Sequence, residues 1–478
     1  MRLTSELIEK YLLFQYLDET FDLKCEENAK IQSDAFESCR NKKIRALYLT
    51  NIRPIIKSMH SSLFEPLGEH LESLNLTCVL ECEFNFLEHL KHLKKLTLDV
   101  DCKKSGKPVF KAATNQLTHL NLSNSSGLKI SDTTIFNDLK CLTQLNLSGV
   151  TQDDNMLPDL FSELKQLDTL TMKETEFTPT ENAFIHLTNL NELHFVGIEI
   201  PNKCSNILAP LKRLRKLEIG PRAHFNHDAF RQVNNNLREL KLSFCSEKMK
   251  IDEHFFDQHP NLESLDLSEL NLIGSTFNLD KARYETEEYC IDLKSIAKLT
   301  ALKSLNLKDN NLNLEQDGEL IFKLENLESL DLTHMLRFPS KYLKRELKLN
   351  EKTFEGLKNL KDLNLRHNKI KMEGNCFKPL TQLKHLDLTY TIFLRSENKD
   401  HDIFSSLKQL ETFKCRGIEP RASFQLYRVS ELVNLKELDL KLIANDDLEQ
   451  FGEMLRSKRR QTTGEEVDND PYPNPTKE

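Results

Sequence analysis

The sequence predicts an α/β solenoid of stacked repeats, with a curved parallel β-sheet on the concave face and short helices on the convex face. A core of the form Leu-x-x-Leu-x-Leu recurs sixteen times, mostly 22 to 27 residues apart. An apolar phrase with a spacing of three residues precedes most of these cores. A single unit cannot bury its own leucines, whereas stacked units bury them against each other. We therefore expect about sixteen repeats around one continuous core.

The core of each unit predicts a short strand, because Leu-x-Leu has the two-residue period of a strand. Strands that recur at this interval, each separated from the next by a helical phrase, are expected to align in parallel. The first positions of the cores are Ile44, Leu71, Leu93, Leu117, Leu142, Leu167, Leu190, Leu214, Leu237, Leu262, Leu302, Leu327, Leu360, Leu383, Leu410 and Leu435.

The phrase before each core predicts a short helix or a helical turn. In the stretch from Phe354 through Leu357 to Leu360, apolar residues stand three apart, which is a helical spacing. The same phrase begins at Phe136, Phe161 and Phe184. The leucines of one unit therefore serve two elements that share a core.

These two patterns together resemble the leucine-rich repeat (LRR) family over residues 44–444. The resemblance implies a non-enzymatic interaction module that recognises a protein partner on its concave face. The family often places asparagine or cysteine three residues after the last leucine of the core. Only Asn310, Asn368 and Cys245 fill that position here, so less uniform turns are expected than in a strict consensus array.

Two units are longer than the others, with insertions near residues 271–299 and 336–353. The first insertion is rich in acidic residues and the second in basic residues. Insertions in solenoids emerge as loops on one face, often the binding face. The alternative is that both are surface loops without a role in binding.

The C-terminal end predicts a cap. Residues 445–460 form a capping helix in this interpretation, with Asn445 as the N-cap and Leu448, Phe451 and Leu455 on one face. Residues 461–478 are polar, acidic and proline-bearing, which predicts a disordered tail.

The first 43 residues precede the repeat and carry an apolar helical stripe. The phrase "LTSELIEKYL" resembles the opening of an F-box, with Thr4 where proline is usual. That resemblance implies a ligase adaptor bound by Leu3, Glu6, Leu7, Ile8 and Tyr11, and the substrate-recognition role in a cullin-RING ubiquitin ligase. The alternative is an N-terminal helical cap that shields the first repeat.

Composition narrows the partners and the compartment. A net charge of -8 and a pI near 6.1 favour neither nucleic acid nor an anionic membrane as a partner. We expect no signal peptide and no transmembrane segment. Eleven cysteines, an odd number without paired clusters, favour reduced thiols in a cytoplasmic or nuclear protein. Two alternatives remain: an extracellular LRR receptor-type ectodomain from an incomplete gene model, or an intracellular scaffold without a ligase link.

No catalytic, cofactor-binding or metal-ligating motif is found in the sequence. The expected binding surface is the concave face, where the residue between the last two core leucines points away from the leucine layer. Arginine and tyrosine contribute much of the binding energy at interfaces, and they gather in the later repeats. The predicted protein-binding residues are Asp266, Asp331, His334, Asn364, Arg366, His367, His385, Asp387, Tyr390, Lys414 and Arg416.

Overall fold

The computed structural model describes residues 2–3, 20–24, 30–31, 34–50, 61–77, 84–99, 110, 116–123, 125, 129–130, 132–152, 159–175, 177–198, 200, 204, 206–220, 230–233, 235–243, 251–270, 291–310, 312, 319–335, 346–394, 405–418, 429 and 432–442. The chain divides into two compact units. Unit 1 comprises residues 1–266 and 272–291, and unit 2 comprises residues 267–271 and 292–478.

Unit 1 is built on parallel strands. They are β1 (Arg2–Leu3), β2 (Thr20–Lys24), β3 (Lys30–Ile31), β4 (Ala46–Thr50), β5 (Ser73–Thr77), β6 (Lys95–Asp99), β7 (His119–Asn121), β8 (Lys129–Ile130), β9 (Gln144–Asn146), β10 (Thr151–Gln152), β11 (Thr169–Lys173), β12 (Glu192–Val196), β13 (Lys216–Ile219), β14 (Glu239–Leu242) and β15 (Ser264–Asp266). The main ladder runs β2-β4-β5-β6-β7-β9-β11-β12-β13-β14-β15. Equivalent core leucines are direct partners, as when Leu74 lies opposite Leu47 and Leu96.

The ladder of unit 1 begins upstream of the first predicted repeat. β2 lies within residues 1–43 and pairs in parallel with β4, which places Phe21 opposite Leu47. Its Phe-x-Leu pattern has the period of a strand, but Asp18 stands where the first core leucine would be. The leucine pattern therefore did not predict a repeat at this position. Leu3 lies in strand β1 and not in the predicted helical stripe. Residues 4–19, with the rest of that stripe, are outside the described residues.

Unit 2 continues the same architecture. Its elements are helix α1 (Leu293–Ala297) and strands β16 (Ser304–Asn306), β17 (Ser329–Asp331), β18 (Leu347–Asn350), β19 (Asp362–Asn364), β20 (Lys369–Glu373), β21 (His385–Asp387), β22 (Ile392–Leu394), β23 (Thr412–Ile418) and β24 (Glu437–Leu442). Its ladder runs β16-β17-β19-β21-β23-β24. The two units together place a strand at each of the sixteen predicted cores, so the prediction of a parallel-sheet solenoid is confirmed.

A second parallel sheet accompanies the ladder of unit 2, in the order β18-β20-β22. β18 falls within the insertion predicted at 336–353 and sets Leu347 opposite Ile370. Part of that insertion is therefore a regular strand and not a loop. Residues 271–290, 336–345 and 443–478 are outside the described residues, and with them the predicted capping helix and tail.

The connections between strands are mostly tight turns. In the opening phrase, the backbone N–H of Leu357 donates to Phe354 O at 3.0 Å, and that of Leu360 donates to Leu357 O at 3.1 Å. Such bonds across three residues are those of a 3₁₀ turn, which fits a short phrase better than an α-helix does. Short 3₁₀ helices cover Glu37–Cys39, Ser61–Leu67, Phe84–His89 and Thr133–Phe136. Helices are few among the described residues.

The core is a layer of leucines beside a column of phenylalanines. Leu360, Leu363 and Leu365 of one repeat are at most 2% exposed. In unit 1, the ring centroids of Phe136 and Phe161 are 6.4 Å apart and their planes are nearly parallel. Burying one such side chain stabilises the fold by roughly 1.5–3 kcal/mol. Each repeat therefore depends on its neighbours for burial.

Two asparagines of unit 2 join neighbouring repeats inside the core. The Asn368 side-chain amide donates to Leu332 O at 2.7 Å and to Leu365 O at 3.0 Å, and its oxygen accepts the Met335 N–H at 3.0 Å. Asn310 makes the equivalent bonds two repeats earlier, donating to Leu267 O and Leu307 O and accepting from the Leu270 N–H. Both residues occupy the predicted asparagine position, whereas Cys245 is outside the described residues.

Candidate functional site

Asparagine and aspartate side chains on the concave face end the strands. The side-chain Oδ1 atom accepts a hydrogen bond from the backbone N–H two residues later. Thr333 N donates to Asp331 Oδ1 at 2.8 Å, and Thr389 N donates to Asp387 Oδ1 at 2.9 Å. The same bond is made by Asn121, Asn146, Asn306 and Asn364. Each of these strands ends at that residue after three positions, since the side chain takes over a backbone donor. One oxygen of Asp331, Asn364 and Asp387 therefore has a structural role.

A left-handed backbone position follows these strand ends. Seven residues after the first core leucine, φ is 63° at Glu269, 56° at Asp309, 57° at His334, 55° at His367 and 56° at Tyr390. We name these five residues of unit 2 the left-handed column. Each backbone N–H donates to a carbonyl of the next repeat, as Tyr390 N does to Arg416 O at 2.7 Å. Left-handed φ is uncommon for residues other than glycine and points to a functional constraint.

The side chains of the left-handed column contact each other in sequence. His334 Nδ1 lies 2.7 Å from Asp309 Oδ1. The rings of His334 and His367 have centroids 5.6 Å apart, and those of His367 and Tyr390 are 4.9 Å apart with planes 26° from parallel. Lys308 Nζ lies 3.6 Å from Glu269 Oε1 and 3.4 Å from Asp309 Oδ2, so it links the first two residues of the column. The result is one continuous row of polar and aromatic groups.

Charged side chains flank the column on the concave face. Arg416 forms a short ion pair with Asp439, with Nη2 at 2.6 Å from Oδ2. Arg366 faces Asp387 with Nε at 3.8 Å from Oδ2, beyond hydrogen-bonding distance. The pair raises the pKa of Arg416 and lowers that of Asp439, mainly through their hydrogen bond.

The surroundings of His367 favour its neutral form. Partial burial lowers its pKa below the ordinary value, and the nearby His334 and Arg366 lower it further. A neutral imidazole ring can stack on an aromatic ring without a charge to solvate. The neutral form of His367 therefore suits its stacking on Tyr390.

The structure brings five of the ten predicted binding residues of unit 2 together. His334, His367 and Tyr390 share the left-handed column, and Arg366 and Arg416 flank it. Other predicted residues form their own local pairs, His385 with Asp362 at 3.8 Å and Lys414 with Glu437 at 3.1 Å. Asp266 belongs to unit 1, where it lies 3.8 Å from Lys241.

Three members of this surface were missed in the sequence, namely Glu269, Asp309 and Asp439. Glu269 and Asp309 stand at the same repeat position as His334, so aligning the repeats on their cores would have found them. Of the predicted adaptor-binding residues, Glu6, Leu7, Ile8 and Tyr11 are outside the described residues, and Leu3 lies in β1.

Unit 1 carries a charged cluster on its own concave face. Glu218 Oε2 lies 2.7 Å from His194 Nδ1 and 2.9 Å from Lys173 Nζ, and Lys241 approaches its other oxygen at 3.6 Å. The hydrogen bonds from His194 and from Lys173 lower the pKa of Glu218 to about 2. The charge of Glu218 is thus neutralised inside the cluster, which favours a stabilising role for this carboxylate over recognition.

The described residues lack two other kinds of feature, a metal site and a membrane-spanning helix. No group of three or more His, Cys, Asp or Glu side chains there is placed to hold a metal ion. No helix in the described part of the chain has the length and apolarity needed to cross a membrane.

Comparison with known families and proteins identifies the repeat. Residues 345–392 match the family described as "Leucine rich repeat", and residues 8–143 and 84–207 match the "BspA type Leucine rich repeat region (6 copies)". Toll-like receptor 4 of Bos taurus is 26% identical over 383 residues, which cover 74% of this chain and 42% of that protein. The chain thus spans about two fifths of the length of this curated relative.

Solved structures support the fold. The Toll–Spatzle complex of Drosophila gives a TM-score of 0.57 at 16% identity, covering 92% of this chain and 57% of that one. A leucine-rich repeat protein of Leptospira interrogans gives 0.54 at 19% identity, covering 85% and 97%. At these identities the likeness concerns the fold.

Proposed function

Because this chain is a leucine-rich repeat solenoid, we propose that it recognises a protein partner through the left-handed column and its flanking arginines in unit 2. The observation that carries the proposal is the run of non-glycine residues in left-handed conformation. The chain places Gly149 and Gly197 at the same position in unit 1, with φ of 74° and 75°. Glycine fits this conformation without strain. Among the described residues, unit 1 has one other residue there, Glu174, whereas unit 2 has five in consecutive repeats, and this run of side chains points to recognition.

Surface chemistry supports the same proposal. Tyr390 is 50% exposed although it stacks on His367, and Arg416 is 51% exposed although it is paired. Tyrosine and arginine are enriched among the residues that dominate binding energy at interfaces. A rigid row of rings also loses little conformational entropy when a partner binds.

Affinity capture with matched variants tests the role. Full-length chain, Tyr390→Gly and Glu174→Gly would be compared for retained partners by quantitative mass spectrometry. Both variants replace a left-handed residue by glycine, with φ of 56° and 53°, so their effects on the backbone match. We expect the amount of captured partner to fall at least tenfold with Tyr390→Gly and to stay unchanged with Glu174→Gly. Equal retention by all three proteins would refute the proposed surface.

Two finer roles are proposed, each on its own observation. A receptor-type ligand-binding role is supported by the similarity to Toll-like receptor 4. A substrate-receptor role in a cytoplasmic or nuclear ubiquitin ligase is supported by the F-box-like residues and by free thiols. Cys39, Cys376 and Cys415 are buried and free, and Cys141 is exposed and free.

The same capture separates these two roles when the variant Leu7→Asp is added, which leaves strand β2 in place. Cullin and ligase adaptor retained by the natural chain and lost by Leu7→Asp would establish the ligase role. Thiol counting under denaturing conditions on protein purified from its native source is the second measurement. Mostly reduced cysteines favour the ligase role, and mostly oxidised cysteines favour the receptor-type role.

A further inference from the structure

Among the described residues, the left-handed column ends at Tyr390. His367 covers one side of the Tyr390 ring, with centroids 4.9 Å apart. The equivalent position in the next repeat is Gly417, which adds no side chain to the row. Half of the surface of Tyr390 stays exposed. The row therefore ends in a ring on which one further planar group can stack.

Arg366, beside this row, has hydrogen-bonding capacity that the described residues do not use. Its Nε atom is buried without a hydrogen-bond partner among them, and Asp387 Oδ2 lies 3.8 Å away. The side chain is 41% exposed, so the end of the guanidinium is accessible. A guanidinium of this kind matches a carboxylate, which it can bind through two parallel N–H donors.

Two of the carboxylates around the row are already engaged, whereas Asp387 Oδ2 lies 3.8 Å from Arg366 Nε. Asp331 accepts bonds from Thr333 N and from Asn364 Nδ2, the latter at 3.0 Å. Asp439 is held by Arg416 through Nε at 2.7 Å. Arg366 Nε is buried, so the exposed end of its guanidinium is the cationic group beside Tyr390 that can pair with an anionic group of a partner.

We propose that this surface takes a partner segment in which an aromatic side chain stands within two residues of a carboxylate. The aromatic ring stacks on the open side of Tyr390, and the carboxylate pairs with Arg366. This inference rests on the proposed function, because it names the chemistry of the segment recognised at the same site. No covalent step is involved.

Selection from a displayed library of random dodecapeptides on the full chain tests the proposal. We expect Phe, Tyr or Trp with Asp or Glu within two positions to be enriched at least tenfold over the unselected library. Tyr390→Gly should lose the aromatic preference, Arg366→Gln should lose only the acidic preference, and Tyr390→Phe should keep both. Ile392→Thr changes another exposed apolar residue of unit 2, 52% exposed, and should select the same peptides as the natural chain.

Several results would overturn the inference. They are enrichment of Lys or Arg beside the aromatic residue, selection that Tyr390→Gly and Arg366→Gln leave unchanged, and the absence of enrichment. Tyr390→Asn, which also accepts left-handed φ, replaces Tyr390→Gly if the glycine variant fails to fold.

Affinity capture distinguishes this failure from failure of the proposed function. If Tyr390→Gly loses its partner while the library shows no acidic–aromatic preference, the recognition surface stands and the partner chemistry is wrong. If capture is also unchanged, both are wrong.

Discussion

Replacing Asn368 by alanine should destabilise unit 2 strongly, because one buried side chain completes the hydrogen bonds of two repeats. Asn368 is 2% exposed, and its amide donates to Leu332 O and Leu365 O while its oxygen accepts the Met335 N–H. Leu365 O keeps a second donor, Thr391 Oγ1 at 2.9 Å, so two backbone groups lose their partners. At about 1–3 kcal/mol for each unsatisfied buried group, the expected loss is roughly 2–6 kcal/mol.

Hydrogen exchange is the appropriate assay for Asn368→Ala, since a repeat protein opens locally and a single free energy of unfolding is poorly defined. The Met335 amide should lose protection in the variant, and unit 2 should unfold at lower urea. Asn364→Ala is the matched control in the same repeat, because its side chain is only partly buried and water can replace it. Unchanged protection at Met335, or an equal effect of Asn364→Ala, would refute the assignment of the core bonds.

Three further predictions concern both units. Glu218, whose pKa is lowered to about 2, should stabilise unit 1 above its unfolded pKa near 4.5 and lose this contribution between pH 4.5 and 2. The expected loss in the free energy of unfolding is on the order of 2 kcal/mol after solvent screening. Urea unfolding of Glu218→Gln, measured across the same pH range, should not show this loss. Gly197→Ala should cost about 1–2 kcal/mol in thermal unfolding, because φ is 75° and the new Cβ would lie 3.3 Å from the Glu174 backbone. NMR titration should place the pKa of His367 below the ordinary 6.5, and Arg366→Gln should raise it.

The repeat pattern predicted the strands well because burial of leucine depends on spacing alone. All sixteen cores carry strands, and neighbouring cores such as those at Leu47 and Leu74 lie in register. The unit at β2 was missed because its core begins with a polar residue, Asp18. The sheet β18-β20-β22 was missed because the residues after a core show no period strong enough to indicate a strand in a single sequence.

The candidate site was predictable only in part, because its geometry depends on backbone conformation. Asp331 and Asp387 were assigned to recognition as concave residues, yet one oxygen of each holds the turn that ends its strand. His334, His367 and Tyr390 were predicted as flanking residues, but their left-handed φ and their stacking are properties of the fold. No side-chain pattern at that position distinguishes a strained residue from a relaxed one.

The two units fill the same backbone position differently. Unit 1 has Gly149 and Gly197 there, which adopt left-handed φ at no cost, with Glu174 between them. In unit 2, His334, His367 and Tyr390 follow one another and each carries roughly 1 kcal/mol of strain. Stacking of the rings recovers about 0.5–1.5 kcal/mol per pair, so the row is close to neutral for stability. A feature that adds little to stability and exposes a tyrosine beside two arginines is better explained by a surface for binding than by a need of the fold.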